Sequence, residues 1–207
     1  MPRRPDMAPL RRGDLDPDPI VQFSAWFETA AAEAPLAEAM TLATVDADGA
    51  PDARMVLLKG WDERGFRFFS NHESSKGAQL AAAPRAALIL YWRELDRQVR
   101  IRGPVEQLGE AESDEYFSSR PRESQLGAWA SPQSRPLGDR EELGARLHEV
   151  EERFGDEGNV GRPPHWGGYL VRPDLIEFWQ GQVGRLHDRF VYRRAGDGGW
   201  AIERLAP

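Results

Sequence analysis

A succession of short apolar or alternating segments, separated by turn sequences, is the feature that most constrains how this chain can fold. Residues 40–45 and 54–59 flank Asp48-Gly49, a dipeptide typical of a tight hairpin, and residues 66–70 follow a turn at Glu63-Arg64-Gly65. Further strands are predicted over residues 86–92, 98–102, 105–108, 169–172, 175–179, 189–193 and 200–204. Because few helices intervene, we expect a mainly β fold with flanking helices, and an antiparallel barrel is favoured over βαβ units.

Helices are predicted at only a few places. Residues 20–34 have apolar side chains at helical spacing and follow Asp18-Pro19, an N-cap and a proline suited to the first helical position. Residues 110–119 and 140–154 also read as helices, and the second carries one apolar stripe that we expect to be buried: Leu143, Leu147, Val150 and Phe154. Prolines and charges dominate residues 1–18, which predicts a flexible N-terminal arm, followed by a single domain over residues 19–207.

The composition narrows the functional classes. With 27 basic and 34 acidic side chains the formal charge is -7, which argues against a nucleic-acid-binding surface but permits a local basic pocket. The absence of cysteine excludes disulfides, thiolate metal sites and thiol nucleophiles, and four scattered histidines argue against a metal site. No apolar run is long enough for a bilayer and none follows the basic start as in a secretory signal, so we expect no membrane association and a cytoplasmic location.

Common phosphate-binding and catalytic motifs are missing. The sequence has no Gly-x-Gly-x-x-Gly fingerprint after a strand, no Gly-Lys-Ser/Thr phosphate loop and no Gly-x-Ser-x-Gly elbow. His148-Glu149 lacks the second histidine that a zinc-binding helix would place four residues on. Side chains must therefore hold any phosphate ligand.

A cluster of aromatic and basic residues lies near the C-terminus, where Glu177-Phe-Trp179-Gln is followed by Arg185-Leu-His187-Asp-Arg189. If residues 185–189 are extended, alternation puts Arg185, His187 and Arg189 on one face. Such a cationic face suits an anionic ligand. The alternative is an exposed strand whose arginines are solvated.

A second candidate anion site lies near residue 120. Tyr116 and Arg120 are four residues apart at the end of a helix and therefore share a face, and Ser124 can cap the next turn. A phenol, a guanidinium and a hydroxyl suit a phosphate, and each charge-assisted bond contributes on the order of 1.5–3 kcal/mol. Alternatively, Arg120 pairs with Glu115 or Glu123.

Two other segments carry basic residues beside structured elements. Arg54 and Lys59 bound an apolar run, and alternation sends them to opposite faces, although a core strand with solvated ends has the same pattern. Ser74-Ser75-Lys76 stands where a strand ends and a short helix to Ala82 begins, so backbone N–H groups and an ammonium can meet a phosphate there. A plain N-cap with a surface lysine is the alternative.

Taken together, these segments resemble the pyridoxine (pyridoxamine) 5'-phosphate oxidase family of FMN enzymes. The resemblance runs from about Leu10 onward and keeps the order of the motifs. The matching stretches are Arg54-Met-Val-Leu-Leu-Lys59-Gly, Ser70-Asn71, Tyr116-Phe-Ser-Ser-Arg120-Pro-Arg-Glu-Ser124-Gln-Leu-Gly-Ala-Trp129, Gln133-Ser134, Trp166-Gly-Gly, Ile176-Glu-Phe-Trp179-Gln-Gly, Arg185-Leu-His187-Asp-Arg189 and Arg204-Leu-Ala-Pro207.

The resemblance implies a split β-barrel homodimer with FMN in a cleft between the two subunits. The FMN contacts that it implies are Arg54, Met55, Val56, Leu57, Leu58, Lys59, Phe69, Ser70, Ser75, Lys76, Gln98, Gln133, Ser134, Trp179 and Arg189. The substrate phosphate would be held by Lys59, Tyr116, Arg120 and Ser124. Arg185, Leu186 and His187 would face the pyridine ring, with Arg185 as electrostatic stabiliser and His187 as its positioning partner.

The implied reaction oxidises pyridoxamine or pyridoxine 5'-phosphate to pyridoxal 5'-phosphate, with FMN accepting a hydride and dioxygen reoxidising it to give hydrogen peroxide. Two departures from the family pattern stand out. Ser75 occupies a position that is usually arginine, which removes one guanidinium from the expected FMN phosphate cage. The family's N-terminal Arg-x-x-Tyr element is also absent in recognisable form.

Two alternatives remain at this stage. One is a different split-barrel flavin oxidoreductase. The resemblance argues against it, because the chain keeps the residues that would bind the phosphorylated pyridine: Tyr116, Arg120, Ser124, Arg185 and His187. The other is a carrier that binds FMN or pyridoxal phosphate without turnover. The altered arm and Ser75 fit that second idea.

Overall fold

The computed structural model describes residues 8–156, 158–196 and 198–207. The described chain forms five α-helices and ten β-strands. The helices are α1 (Pro19–Glu33), α2 (Ser75–Ala82), α3 (Glu110–Ser118), α4 (Arg122–Ala130) and α5 (Arg140–Phe154). The strands are β1 (Ala39–Val45), β2 (Pro51–Leu57), β3 (Gly60–Asp62), β4 (Gly65–Asn71), β5 (Arg85–Trp92), β6 (Arg97–Gln107), β7 (Trp166–Val171), β8 (Leu175–Gln180), β9 (Asp188–Arg194) and β10 (Trp200–Arg204).

The strands form one ten-stranded sheet in which every pairing is antiparallel. Its main path runs β10-β9-β8-β6-β5-β1-β2, and β7 links β6 to β4 and β3. Strand β6 belongs to both parts of the sheet, because its residues 97–102 pair with β8 and its residues 105–107 pair with β7. The mainly β, antiparallel fold with flanking helices that the sequence predicts is therefore confirmed.

Several element boundaries differ from the prediction. Strand β2 ends at Leu57, and one continuous strand β6 replaces the two predicted segments at 98–102 and 105–108. Gly103-Pro104 lies where the strand exchanges partners. Helix α4 begins at Arg122 with Pro121 as the N-cap, so Ser124 lies inside the first turn and the predicted capping role is wrong.

The main core is built where α1 packs on the sheet. The predicted start of α1 is confirmed, because the Asp18 side chain accepts a hydrogen bond from the backbone N–H of Ile20 at 2.8 Å. Phe23 of α1 is fully buried, and its ring lies edge-on to Phe66 at 4.8 Å and to Trp61 at 5.0 Å between centroids. Helix α1 thereby covers the apolar face of the central strands.

Two predicted burial patterns need correction. Strand β5, nearly all apolar in sequence, is buried on one face only, and Tyr91 on the other face is 53% exposed. Helix α5 has no fully buried residue, although Leu147, Val150 and Phe154 are partly buried against a second apolar cluster. The stripe on α5 is therefore half-covered, because this helix packs mainly on α4.

The described part of the predicted N-terminal arm packs against the C-terminal strands. Leu10 and Leu15 are buried, and the Leu10 N–H donates to Asp188 Oδ2 at 2.9 Å. Arg204 joins the same group, since Nη2 donates to the Leu10 carbonyl and Nη1 to Asp188 Oδ1. The rest of the arm, residues 1–7, lies outside the described residues. No helix in the described chain has the length and apolar character needed to cross a membrane.

We expect Phe23→Ala to lower the free energy of unfolding by about 3–5 kcal/mol, because it removes a fully buried aromatic side chain and leaves a cavity. Urea unfolding followed by circular dichroism measures this. Val21→Ala on the same helix is the matched control, since Val21 is 50% exposed and its truncation should stay within about 0.5 kcal/mol. Equal losses for the two variants would contradict the described packing of α1.

Candidate active site

A cleft of about 480 Å³ opens where β2 and β4 meet the turn between α3 and α4. Its lining residues are Met55, Val56, Leu57, Lys59, Phe69, Ser70, Asn71, Lys76, Tyr116, Ser119, Arg120, Pro121, Ser124, Gln133 and Trp166. These include Lys59, Lys76 and Arg120, and no carboxylate among the described residues lines the cleft. In a chain with a formal charge of -7, such a local excess of cations selects an anionic ligand.

Lys76 is held at one side of the cleft by the start of α2. Its ammonium is largely buried and donates to Gln133 Oε1 at 2.9 Å and to Ser74 Oγ at 3.2 Å. Ser70 Oγ also donates to Gln133 Oε1, at 3.3 Å. Burial, together with the charge of Arg54, lowers the pKa of Lys76. Ser74 is the N-cap, as the alternative reading has it, but Lys76 is not a surface lysine.

Arg54 lies beside this group without lining the cleft. Its guanidinium contacts Thr44 Oγ1 at 2.5 Å, Asp52 Oδ2 at 2.5 Å and Gln79 Oε1 at 2.8 Å. The expected alternation is present, because Arg54 is partly buried while Lys59 is exposed. Most of β2 is exposed or half-buried, so it is not a core strand with solvated ends.

Arg120 lines the same cleft and has one donor without a hydrogen-bond partner. Its Nη1 atom is buried and has no hydrogen-bond partner in the described chain. Nor does the guanidinium form an ion pair within the described ranges, so pairing with Glu115 or Glu123 does not occur there. Burial lowers the pKa of Arg120, which nonetheless remains cationic at neutral pH. A buried donor of this kind is matched by an incoming anion.

Tyr116 lines the same cleft as Arg120 and belongs to a group of stacked aromatic rings. Its ring stacks on Phe69 with 3.9 Å between centroids. Burial raises the pKa of the Tyr116 phenol, while the charge of Arg120 opposes that rise. The phenol is therefore protonated at neutral pH and can donate a hydrogen bond to an anion. Ser124, in the first turn of α4, adds a hydroxyl to the same wall.

A second group of predicted residues lies on β8 and β9. The rings of Trp179 and His187 are 4.6 Å apart between centroids, and the Gln182 N–H donates to His187 Nδ1 at 3.1 Å. Arg189 is not a solvated arginine, because Nε donates to the buried carboxylate of Glu177 at 2.9 Å. Its Nη1 donates to the carbonyl of Ala206 at 3.0 Å.

The alternation predicted for residues 185–189 fails at its start. Strand β9 begins at Asp188, and Arg185 ends a short 3-10 helix that spans Val183–Arg185. Gly184 and Arg185 both have positive φ, at 70° and 63°. A left-handed backbone at a non-glycine residue is strained. The Arg185 side chain is exposed, as is Leu186.

The structure thus divides the predicted residues into those that line the cleft and those that do not. The residues outside it are Arg54, Leu58, Ser75, Gln98, Ser134, Trp179, Arg185, Leu186, His187 and Arg189. Gln98, Trp179 and Arg189 are register neighbours across β6, β8 and β9. Ser75 is exposed on α2, and Leu58 is buried. In one protomer the strands β2 and β9 are separated on the sheet path by β8, β6, β5 and β1.

Four lining residues have no role in the sequence-based prediction: Asn71, Ser119, Pro121 and Trp166. Asn71 and Trp166 belong to the recognised motifs Ser70-Asn71 and Trp166-Gly-Gly, which were the signals available. The two residues are register partners between β4 and β7. That pairing brings Trp166 to the cleft, and no local sequence pattern specifies it.

Together the fold and the cleft define a split β-barrel protein with a cleft lined by cationic side chains. The model of the family described as pyridoxamine 5'-phosphate oxidase matches residues 27–154. A second model, described as the pyridoxine 5'-phosphate oxidase C-terminal dimerisation region, matches residues 166–207. The chain belongs to the pyridoxamine 5'-phosphate oxidase family, and the resemblance read from the sequence is confirmed.

Relatives match over nearly the whole length. A pyridoxine/pyridoxamine 5'-phosphate oxidase from Bordetella petrii is 59% identical over 190 residues, which cover 91% of this chain and 89% of that protein. The pyridoxine/pyridoxamine 5'-phosphate oxidase 1 from Ralstonia nicotianae is 58% identical over 201 residues, or 97% of this chain and 94% of that protein.

Two solved structures are similar to this fold. PhzG from Burkholderia lata 383, in complex with tetrahydrophenazine-1-carboxylic acid, has a TM-score of 0.88 and 34% identity, covering 94% of this chain and 95% of its own. A pyridoxamine 5'-phosphate oxidase-related, FMN binding protein from Nostoc punctiforme has a TM-score of 0.74 and covers 93% of this chain and 100% of its own. At 17% identity, the second likeness concerns the fold alone. The split β-barrel expected from the sequence is confirmed.

We expect the wild-type protein, without ligand, to gain stability relative to Lys76→Met as the pH rises from 7 towards 10.4. The pKa of Lys76 is lowered in the folded state, so the unfolded chain binds more protons over this range. The contribution of Lys76 is fully favourable above the unfolded pKa and is lost as the pH falls through the folded pKa. Urea unfolding at several pH values measures the difference. Lys59→Met is the control at an exposed lysine of the same cleft, and an identical pH dependence in both variants would contradict the assignment.

Proposed function

We propose that this protein is an FMN-dependent oxidase that converts pyridoxine and pyridoxamine 5'-phosphates to pyridoxal 5'-phosphate, with dioxygen as acceptor and hydrogen peroxide as product. With the amine as substrate, water is also consumed and ammonia is released. The names of the curated relatives at 54–59% identity support the reaction. The observation that carries the proposal is the cleft itself, in which three cations gather without a described carboxylate and Arg120 Nη1 is unpartnered. We place the enzyme in the cytoplasm.

The residues at the cleft fit FMN as an anionic, partly aromatic cofactor. Lys76 offers an ammonium beside the amide of Gln133 and the hydroxyl of Ser70, a donor set suited to a phosphate and to polar ring atoms. The backbone of β2 at Met55 to Leu57 supplies an extended edge along the cleft. FMN, when bound, supplies the hydride acceptor that the protein's own side chains lack.

The substrate phosphate is assigned to the wall formed by Lys59, Tyr116, Arg120 and Ser124. This wall offers an ammonium, a guanidinium with an uncommitted donor and two hydroxyls. Charge-assisted hydrogen bonds from these groups contribute on the order of 1.5–3 kcal/mol each. Holding the phosphate here anchors the substrate in the same cleft as the cofactor.

The second group of residues completes the site from a partner subunit. Arg185, Leu186 and His187 are absent from the cleft lining of their own protomer, and the matched C-terminal region is described as a dimerisation region. Exposed apolar side chains support a homodimer, since Met55 is 62% exposed, Tyr91 53% and Leu186 72%. We infer that Trp179, Arg185, His187 and Arg189 of one subunit face the cleft of the other.

His187 is prepared to donate a hydrogen bond. Its Nδ1 accepts from the Gln182 N–H, so the neutral imidazole carries its proton on Nε2. A ring in this tautomer orients a ligand and does not remove a proton through Nε2. Arg185, exposed beside it, adds positive charge over the pyridine. We therefore assign His187 a positioning role and Arg185 an electrostatic one.

Aerobic turnover tests the proposal directly. Purified protein is incubated with FMN and pyridoxine 5'-phosphate, and pyridoxal 5'-phosphate and hydrogen peroxide are followed together. Equal amounts of both products are expected. FMN binding without either product would overturn the proposed reaction and would leave a flavin protein with another substrate or a carrier.

Arg185→Ala should keep FMN bound and lose most turnover, whereas Arg189→Ala should weaken FMN binding by roughly tenfold to a hundredfold, the effect of one charge-assisted hydrogen bond. Flavin fluorescence titration and steady-state rates measure the two effects. Arg193→Ala, on the same strand with its guanidinium paired to Glu203 at 3.3 Å, is the control and should leave both quantities unchanged. Weaker FMN binding in Arg185→Ala, together with lost turnover but normal FMN binding in Arg189→Ala, would contradict the roles assigned to the two residues.

A further inference from the structure

The guanidinium of Arg120 rests on an aromatic ring and not on a carboxylate. Its central carbon Cζ lies 4.6 Å from the ring centroid of Trp166 and 5.5 Å from that of Phe117. Attraction to the indole face positions a cation without using any of its N–H donors. The face of Trp166 therefore holds Arg120 while Nη1 stays unpartnered within the described structure.

Two other basic residues assigned to the site are held differently. Arg54 pairs with Asp52 at 2.5 Å, and Arg189 pairs with Glu177 at 2.8 Å. A carboxylate partner offsets much of the charge and occupies some of the donors that a ligand would otherwise receive. Among these three arginines, Arg120 alone presents its full charge to an incoming anion.

Trp166 is itself rigidly placed. It is 6% exposed, and its ring is nearly parallel to those of Phe69 and Tyr116, at 5.5 Å and 6.2 Å between centroids. The Trp166 carbonyl accepts from Arg162 Nη1 at 2.7 Å. A side chain held on both its backbone and its ring can fix the plane of a guanidinium that lies on it.

We propose that Trp166 is a positioning residue that sets the preference for phosphorylated ligands by holding Arg120 in place. The proposal rests on the proposed function, in which Arg120 receives the substrate phosphate. Trp166 acts through Arg120 and has no role in the oxidation itself. Its loss should therefore weaken the binding of the phosphate group and spare the chemical step.

The test compares Trp166→Leu with Trp166→Phe in the FMN-loaded protein. Calorimetric titration with pyridoxal 5'-phosphate should show about tenfold weaker binding for Trp166→Leu, which corresponds to about 1.4 kcal/mol, and a smaller loss for Trp166→Phe, which keeps an aromatic face. Pyridoxal, which lacks the phosphate, should bind both variants as it binds the wild type. In turnover, KM for pyridoxine 5'-phosphate should rise by the same factor while kcat is retained.

Trp129→Leu is the matched control. Arg153 lies over the Trp129 ring at 4.5 Å, so this pair has the same chemistry but does not line the cleft. We expect Trp129→Leu to leave binding of pyridoxal 5'-phosphate unchanged. Equal weakening of pyridoxal and pyridoxal 5'-phosphate in Trp166→Leu would overturn the proposal, because it would mark a general structural loss.

A double-mutant cycle separates this proposal from the assignment of Arg120. If Trp166 acts through Arg120, Trp166→Leu should cause no further loss of pyridoxal 5'-phosphate binding in an Arg120→Met background. An additive loss would overturn the proposal. Normal binding by Arg120→Met alone would instead overturn the phosphate-binding role of Arg120 in the proposed function.

Arg120→Lys is a second variant that tests the same contact if Trp166→Leu does not fold. Lysine keeps the charge but has no planar group to lay on the indole, so weaker binding of pyridoxal 5'-phosphate is expected. Wild-type affinity in Arg120→Lys would overturn the proposal.

Discussion

The course of β6 through Gly103 and Pro104 is the constraint on which the rest of the structure depends. At these two residues the strand leaves β8 and takes β7 as its partner. Gly103 permits β6 to approach the connection between β7 and β8 closely, because a Cβ there would overlap the carbonyl oxygen of Arg172. Its pairing with β8 places Trp179 opposite Gln98. Strand β7, its other partner, pairs in turn with β4 and so places Trp166 opposite Asn71.

The cleft concentrates cations at some cost to the folded protein. Lys76 is buried next to Arg54, and Arg120 is partly buried with an unpartnered buried donor, Nη1. The charged forms of both side chains are therefore less stable in the ligand-free protein than in water. An anionic ligand removes that penalty on binding. In sites of this kind the ligand-free protein is less stable, and its affinity for the ligand is higher as a result.

The sequence alone predicted much of the fold and of the site. Alternation and turn dipeptides identified nine of the ten strands to within a few residues, and Asp18-Pro19 located the start of α1. The three-residue strand β3 was missed because so short a segment has no period. Arg54 and Lys59 were assigned to opposite faces correctly, since alternation is a local property of an extended chain.

The remaining features depend on contacts between distant segments. The exposure of Tyr91, the partial burial of α5 and the partners of Arg189 depend on what packs against each element, and a local pattern does not contain that information. By itself the sequence determined the antiparallel class, the family and the residue types available for an anionic ligand. Only the tertiary structure decided that Arg120 would rest on Trp166 and keep its charge uncompensated, because a cation–π contact between residues so distant in the sequence requires the completed sheet.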